Sequence, residues 1–209
     1  TRFSVIRIGS EPWVEAAHAI PSGNSGRGVR SARNLAIRSG VTIEEWSADD
    51  IDSDSRKKEA LLSLYDAWKK ATMISISGFI LATNPVAPVP GRRWFVAVRD
   101  GKAEGYAVAT RIGETDRYYI EDLIYDRYAQ KGVAELIITE ALSALASAGF
   151  TKASLGVVLG LKHNESKEGS LTRGARMLLG AAARIFPLFY NCRGQETFRK
   201  RFKPEWDPV

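Results

Sequence analysis

Two adjacent carboxylates, Glu121 and Asp122, lie in a stretch of alternating residues that is typical of a β-strand. Strict alternation points neighbouring side chains to opposite faces of a sheet, so we do not expect these two to act as a pair. The one that lines a cleft could hold the amine of a substrate or accept a proton from a nucleophile. Glu121 and Asp122 are therefore the catalytic candidates.

A helix that begins at Gly132 is the second candidate feature. Its first backbone N–H groups and the positive end of its dipole could hold a phosphate or polarise a carbonyl. Enzymes that bind acetyl-coenzyme A place a loop Arg/Gln-x-x-Gly-x-Gly/Ala at such a helix. Gly132 and Ala134 fit that loop, but Ala129 stands at its leading position. Gln130 and Lys131 are out of register, so the sequence disfavours coenzyme A as the donor.

The elements that would position these residues follow from periodicity and turn signals. Asp100-Gly101 indicates a hairpin turn, and Gly149 indicates the end of a helix. The pattern predicts strands over residues 94–99, 105–111, 117–124 and 151–156, and a helix over residues 132–148. Three antiparallel strands, one helix and a parallel strand form the core of an α/β fold of the GCN5-related acetyltransferase type.

Further elements are predicted on both sides of this core. The flanking segments comprise a strand over residues 4–8 that ends before Gly9 and Pro12, a basic helix over 27–38, a strand over 41–46, an acidic stretch over 47–55 that caps a helix over 56–70, an apolar helix over 171–185, and a basic helix over 195–202. The apolar helix could lie against a membrane surface.

Composition limits the classes of function. The 209 residues carry a net charge of +6, which favours anionic partners such as nucleic acid or acidic lipid. Cys192 is the only cysteine, so an internal disulfide is excluded and a reducing, cytoplasmic compartment fits best. No apolar run reaches the length of about 18 residues that spans a bilayer. No metal-ligand cluster is visible, and we expect neither a metal ion nor a cofactor.

Basic and aromatic residues alternate near the C-terminus. The aromatic members are Phe189, Tyr190, Phe198 and Phe202, and the basic members are Arg193, Arg199, Lys200, Arg201 and Lys203. This combination suits a partner that is anionic and partly apolar, such as a phospholipid headgroup or the acceptor end of an RNA. A solvated amphipathic helix is the alternative explanation of the same pattern.

Several segments together resemble a known family. They are Glu121-Asp-Leu-Ile, Ala129-Gln-Lys-Gly-Val-Ala-Glu-Leu, Ser154-Leu-Gly, Phe189-Tyr-Asn-Cys-Arg-Gly and Phe198-Arg-Lys-Arg-Phe-Lys-Pro-Glu-Trp-Asp-Pro, in this order. The chain resembles the C-terminal catalytic domain of the aminoacyl-phosphatidylglycerol synthases, which act with lysine or alanine, and their freestanding relatives. The ending Phe-x-x-x-Phe-x-Pro-x-Trp-x-Pro is the most specific part of the match.

The resemblance implies two acetyltransferase-like halves in tandem. Residues 1–46 would then be the end of the first half, and residues 47–209 would be a complete second half. The implied reaction moves an aminoacyl group from a charged tRNA onto the hydroxyl of a phosphatidylglycerol-type lipid, without a cofactor. The implied partners are aminoacyl-tRNA, a lipid acceptor and the inner face of the cytoplasmic membrane. The oligomeric state is not indicated.

The resemblance also assigns roles to individual residues. Asp122 matches the acidic position of the family motif Asp-Leu-Met-Arg and would hold the amino group of the donor, whereas Tyr125 stands where the motif has Arg. We expect the aminoacyl ester to be held beside the strand over residues 118–124 and the helix start at Gly132, and backbone N–H groups to stabilise the oxyanion. The remaining expected contacts are Tyr190 and Asn191 along the cleft, and Arg30, Arg33, Lys200 and Lys203 on phosphates.

Two other functions compete with this interpretation. The first is an acyl-coenzyme A N-acyltransferase on the same fold, which binding of coenzyme A would favour. The second is a lipid- or RNA-binding module without enzymatic activity, for which replacing Asp122 would change no reaction.

Overall fold

The computed structural model describes residues 9–72, 84–159 and 192–209. Its strands are β1 (Gly9–Glu15), β2 (Thr42–Trp46), β3 (Arg93–Arg99), β4 (Lys102–Arg111), β5 (Arg117–Tyr125), β6 (Lys152–Ser154), β7 (Val158–Leu159) and β8 (Glu205–Pro208). Its helices are α1 (Arg27–Arg38), α2 (Ala48–Ser53), α3 (Ser55–Thr72), α4 (Val133–Ser147) and α5 (Cys192–Lys200), with a 3-10 turn at Ala16–His18.

The described strands form one eight-stranded mixed sheet. Its order is β2-β3-β4-β5-β6-β1-β7, and β8 pairs with the other edge of β1. The strands β3, β4 and β5 are antiparallel neighbours, and β6 runs parallel to β5 after the crossover through α4. This arrangement confirms the predicted α/β fold with a core of the GCN5-related acetyltransferase type.

Local turn chemistry explains two of the correctly predicted boundaries. Asp100 and Gly101 both adopt positive φ, at 51° and 73°, which is the conformation that a tight β3–β4 hairpin requires. Helix α4 ends at Ser147, and Gly149, which follows the C-cap Ala148, has φ 85°. The Phe150 N–H donates to the Leu145 carbonyl, and the Gly149 N–H donates to the Ala146 carbonyl, so the last turn is closed as predicted.

Helices cover both faces of the sheet. Helices α1 and α4 pack on one face, where the core includes Val29, Ala36, Ile120, Leu136 and Ile137. Helices α2 and α3 pack on the other face, where the core includes Ile51, Leu61, Trp94, Val96 and Ile124. Because the sheet is covered twice, its central strands carry apolar residues on both sides.

Helix α4 is buried around most of its circumference. The sequence predicted one apolar face, but nearly every residue from Val133 to Leu142 is buried. The reason is that α4 packs against α1 as well as against the strands β3, β4 and β5. A helix that is enclosed by two layers needs apolar residues all round.

Three predicted boundaries are wrong. The predicted break at Gly9 and Pro12 is wrong, because Gly9–Glu15 is a strand that continues through Pro12, whose carbonyl accepts from the Leu155 N–H. The acidic stretch forms the short helix α2, which Ser47 and Asp50 cap reciprocally. Helix α5 begins at Cys192, before the predicted start. The predicted elements over residues 4–8 and 171–185 lie outside the described residues.

The two parts that the sequence assigned to separate halves share this sheet. Residues 9–46 supply β1, α1 and β2, which pair or pack with elements of the later part. A division at residue 46 stays a prediction. Within the described ranges, none of the helices combines the length and the apolar character that crossing a bilayer demands.

Candidate functional site

A cleft opens where β5 and β6 separate. Their parallel pairing covers only residues 117–119 and 152–154. Beyond it the chain bends away at Gly156, which has φ 82°, and α5 lies across the gap. The cleft has a volume of about 300 Å³. Its lining residues are Trp68, Glu121, Asp122, Leu123, Ile124, Tyr125, Gly194, Gln195, Phe198 and Arg199.

A β-bulge places Glu121 and Asp122 together. Val108 of β4 lies opposite Asp122, while the next residue of β4, Ala109, lies opposite Ile120, so Glu121 is an extra residue in β5. The bulge shifts the alternation: Ile120 belongs to the core under α4, whereas Ile124 belongs to the core under α3. The predicted orientation to opposite faces is therefore wrong, because strict alternation does not hold across a bulge.

Glu121 is held in a buried ion pair. The Arg92 guanidinium lies 2.5 Å from the Glu121 carboxylate, and the Thr110 hydroxyl donates to its other oxygen. Arg92 has a side chain that is only 3% exposed. It also donates to the carbonyls of Asn84 and Ala87, at 2.9 and 3.0 Å. These contacts tie Glu121 to Arg92 and to β4, so Glu121 helps to fix the bulge.

Asp122 lies beside this pair and lines the same cleft. The pKa of the buried Tyr106 phenol is raised, mainly by burial and further by the electrostatic effect of Asp122. Tyr106 therefore stays protonated throughout the physiological range. These contacts leave Asp122 as the carboxylate best placed to meet an amine or a hydroxyl in the cleft.

Arg199 of α5 forms the opposite wall. Its Nε–H donates to the Leu155 carbonyl at 2.7 Å, and its guanidinium also contacts the Gln195 side chain. The Val157 N–H donates to the Tyr119 hydroxyl at 3.3 Å, and burial is the main cause that raises the pKa of this phenol. These bonds fix the bent segment 155–157 between β5 and α5. The cleft thus has a cation on one wall and carboxylates on the other.

The β5 backbone offers a further chemical group. Past Tyr119, no strand within the described residues pairs with the edge of β5 that faces α5. Backbone N–H groups on a rigid edge can stabilise negative charge that develops on a carbonyl oxygen. The arrangement therefore combines a carboxylate, a cation and an open strand edge. Within the same ranges, no three His, Cys, Asp or Glu side chains come together as a metal site.

Comparison with known protein families decides the relationship. The profile of the family described as "Phosphatidylglycerol lysyltransferase, C-terminal" matches residues 1–209. The chain belongs to this family. The family resemblance that the sequence motifs indicated is thereby confirmed. A comparison with curated proteins found no match.

Solved structures of similar fold agree with this membership. The L-PGS structure from Bacillus licheniformis has a TM-score of 0.74 at 18% identity and is matched over 97% of this chain and 59% of that one. The C-terminal domain of a putative lysylphosphatidylglycerol synthetase from Agrobacterium fabrum has a TM-score of 0.67 at 18% identity, over 97% and 58%. At these identities the likeness concerns the fold, and the chain spans less than two thirds of either relative.

Tyr125 lies at the mouth of the cleft and is 47% exposed. It pairs with Gly105 of β4. A Cβ atom added to Gly105 would lie 2.6 Å from the Tyr125 Cβ, so the small residue lets the two strands approach at this point. At the position where the resemblance expects Arg, the cleft is thus lined by a tyrosine.

Gly132 does not line the cleft. It adopts φ 93° against α1, and a Cβ atom added there would lie 1.9 Å from the Ala32 carbonyl oxygen. The start of α4 is thus packed beneath α1, which is where the coenzyme A loop would need space. The structure thus supports a packing role for Gly132, which lets α1 and α4 approach each other closely.

The four basic candidates make contacts within the chain. Arg30 donates to the carbonyls of Pro21 and Gly23, at 2.5 and 2.9 Å, and Arg33 pairs with Glu140 at 2.6 Å. Lys200 pairs with Glu196 at 2.5 Å but is 60% exposed, and Lys203 donates to the Ser22 carbonyl at 2.9 Å. None of the four lines the cleft around Asp122. Lys200 and Lys203 are both exposed, whereas Arg30 and Arg33 are partly buried.

Sequence reasoning missed three residues of this site, and two predicted ones cannot be placed. Trp68 was expected to belong to the core, and it also lines the cleft. Arg199 lay within the basic-aromatic motif without an assigned role, and no pattern singled out Arg92. Tyr190 and Asn191 lie outside the described residues, so their contact with the cleft stays a prediction.

Proposed function

We propose that this chain carries the catalytic site of an enzyme that transfers an aminoacyl group from tRNA to the hydroxyl of a phosphatidylglycerol-type lipid. Membership of the phosphatidylglycerol lysyltransferase family supports the lipid acceptor and the aminoacyl group. The observation that carries the proposal is the cleft that Asp122 and Arg199 both line, beside an edge of β5 that no described strand covers past Tyr119.

The proposed reaction is a transesterification. The lipid hydroxyl oxygen attacks the carbonyl carbon of the aminoacyl ester and forms a new ester bond. The bond from that carbon to the ribose oxygen of the tRNA then breaks, and the ribose oxygen receives the proton that the lipid hydroxyl gives up. The reaction needs no oxidant, reductant or metal ion for its balance.

Asp122 is assigned the role of holding the amino group of the donor or of carrying the transferred proton. General acid–base assistance of this kind contributes about 10²–10⁴-fold to the rate. The backbone N–H groups of β5 would stabilise the oxyanion, in place of the N–H groups near Gly132 that the sequence suggested. Glu121, held by Arg92, would fix the bulge and thereby the position of Asp122.

The same proposal places the enzyme at the inner face of the cytoplasmic membrane, where tRNA and phospholipid meet. The net charge of +6 supports association with anionic lipid and with RNA. Lys200, whose side chain is 60% exposed, is assigned to a phosphate of either partner.

The test is transfer of label into lipid. The purified protein is incubated with phosphatidylglycerol vesicles and a panel of radiolabelled aminoacyl-tRNAs, and the lipids are extracted into organic solvent. We expect label from at least one amino acid in the lipid phase, and its loss in Asp122→Asn. If no aminoacyl-tRNA labels any lipid, the proposal is wrong.

Two controls separate the competing functions. Calorimetric titration with coenzyme A should show no binding, because α1 covers the start of α4; binding would instead favour the acyl-coenzyme A N-acyltransferase. If the protein binds vesicles or RNA but transfers no label, and Asp122→Asn changes nothing, the binding module without enzymatic activity is favoured.

A further inference from the structure

An exposed aromatic ring stands next to the cleft. Tyr128, in the turn that follows β5, is 78% exposed, more than any other large apolar or aromatic residue in the described part of the chain. The Arg127 guanidinium stacks against its ring at 4.7 Å from the centroid. Because the ring is so exposed, it contributes little to packing in the core, and it is available to contact a ligand.

The turn that carries Tyr128 is firmly braced. The Asp126 N–H donates to the Glu104 carbonyl at 2.8 Å, and the Tyr128 N–H donates to the Asp126 carboxylate at 2.7 Å. The Glu104 carboxylate, which is mostly buried and paired with Arg99, accepts from the Gln130 N–H at 3.1 Å. The ring is therefore presented on a backbone that already has a fixed shape, so binding there orders little of the chain.

Tyr128 also forms one side of a polar groove. The groove lies between this turn and the β3–β4 hairpin and has a volume of about 400 Å³. It is lined by Arg99, Asp100, Lys102, Ala103, Glu104, Asp126, Tyr128 and Ala129. Charges of both signs and one large ring thus meet in a concave surface that is separate from the cleft of Asp122.

We propose that Tyr128 and this groove bind a nucleobase at the single-stranded end of an RNA. A base can stack on the phenol ring, as aromatic platforms of single-strand-binding proteins do. The Asp100 and Asp126 carboxylates can accept from the amino groups of the base, while Lys102 and Arg127 can meet the flanking phosphates.

The chemistry of the groove favours RNA over a lipid surface. A bilayer interface would call for several exposed apolar or aromatic residues on one flat face. Here one ring borders a concave site whose lining includes Asp100 and Asp126, so the surface is neither flat nor apolar. A base has both a flat apolar face and hydrogen-bonding edges, which matches a ring beside mixed charges.

The position relative to the cleft adds a functional reason. Tyr125, the last residue of β5, lines the cleft, and Tyr128 lies in the turn that follows. An RNA end whose base stacks on Tyr128 would therefore lie close to the cleft. The identity of this RNA as the aminoacyl donor rests on the proposed function, whereas the binding of a base does not.

The test compares three variants in one binding assay. The probe is a fluorescent RNA hairpin with a four-nucleotide single-stranded 3′ end, and its affinity is measured by anisotropy at fixed salt. We expect Tyr128→Ala to weaken binding about tenfold, because stacking on an aromatic ring contributes on that order. Tyr128→Trp should retain the affinity. Leu62→Ala, a change at an exposed residue of α3, is the matched control and should have no effect.

Two further probes decide between the partners. A blunt hairpin without the 3′ end should bind the native protein and Tyr128→Ala equally. Vesicles of phosphatidylglycerol should also bind both equally. The inference is overturned if Tyr128→Ala leaves the affinity for the 3′-extended hairpin unchanged, or if it weakens vesicle binding instead.

Failure of this inference is distinguishable from failure of the proposed function. Tyr128-dependent binding of the RNA without transfer of label into lipid would refute the proposed function and keep the inference. Transfer of label that Tyr128→Ala leaves unchanged, in both KM for aminoacyl-tRNA and kcat, would keep the proposed function and refute the inference.

Discussion

The two halves of β5 differ in their pairing: the first half is paired on both edges, and the later half lines the cleft. Residues 117–119 pair with β4 on one side and with β6 on the other, and Tyr118 is buried against Phe150 with ring centroids 4.6 Å apart. The later half, after the bulge at Glu121, pairs with β4 alone within the described residues and lines the cleft. One strand thus passes from a structural segment into a candidate site.

The difference shows how a regular sheet can produce a site without a long loop. The bulge turns Glu121 and Asp122 to the same side, and after the bend at Gly156 no described strand pairs with this edge of β5. A bulge of this kind can re-aim side chains toward a site. The paired half holds these side chains in place, because its own bonds are satisfied on both sides.

The largest expected effect is a loss of activity when a carboxylate in the later half of β5 is replaced, but not when one next to the paired half is replaced. Asp122→Asn should lower kcat of lipid aminoacylation about 100-fold or more, because it removes the carboxylate charge from the cleft. Asp116→Asn, which changes a carboxylate next to the paired half, is the matched control and should leave kcat within about twofold. Urea unfolding should show that neither variant is unfolded. Equal activity of the two variants would contradict the assignment of Asp122.

The buried ion pair should dominate stability on the cleft side. Arg92→Met should lower the free energy of unfolding by about 3–5 kcal/mol, because it leaves Glu121 charged and without its cation. The double variant Arg92→Met with Glu121→Gln should recover part of this loss. Urea titrations of the single and double variants measure the difference. A loss below about 1 kcal/mol in the single variant would show that the pair does not hold the bulge.

Gly132 tests whether the start of α4 is structural. Gly132→Ala should cost about 2–5 kcal/mol, the sum of a left-handed residue and an overlap with the Ala32 carbonyl. Gly149→Ala is the matched control: its φ is also positive, but its Cβ would meet open space, so it should cost about 1–2 kcal/mol. Thermal unfolding compares them. If the two variants lose the same free energy of unfolding and only Gly132→Ala loses activity, Gly132 would be a residue of the functional site.

The smallest expected effect concerns the paired half. The Thr151 hydroxyl donates to the Asp116 carboxylate at 2.6 Å, and this bond is the main cause that lowers the pKa of Asp116. Thr151→Val should therefore raise the pKa of Asp116 toward its usual value, as followed by carboxyl NMR titration. An unchanged pKa would show that the bond is not formed in solution.

The sign of the accompanying pH dependence follows from that shift. Because the pKa of Asp116 is lower in the folded state, its bond stabilises the protein above the unfolded pKa, and the stabilisation is lost as the pH falls through the folded pKa. The stability difference between the native protein and Thr151→Val should shrink over the same fall in pH.

The sequence by itself determined the local and periodic features. Alternation located β3, β4 and β5, the Asp100-Gly101 pair fixed the hairpin, and Gly149 ended α4. These features depend on residues close together in the chain, which is why propensity and periodicity suffice. The motif that begins at Phe198 also indicated the family correctly.

Tertiary structure decided which of the candidate residues meet. The orientation of Glu121 and Asp122 depends on the register with β4, and the cation on Glu121 comes from Arg92, which is distant in the sequence. Gly132 and Arg33, which the sequence suggested for ligands, are instead engaged by Ala32 and Glu140. Packing between distant segments sets these contacts, and a one-residue shift in strand register is enough to reverse them.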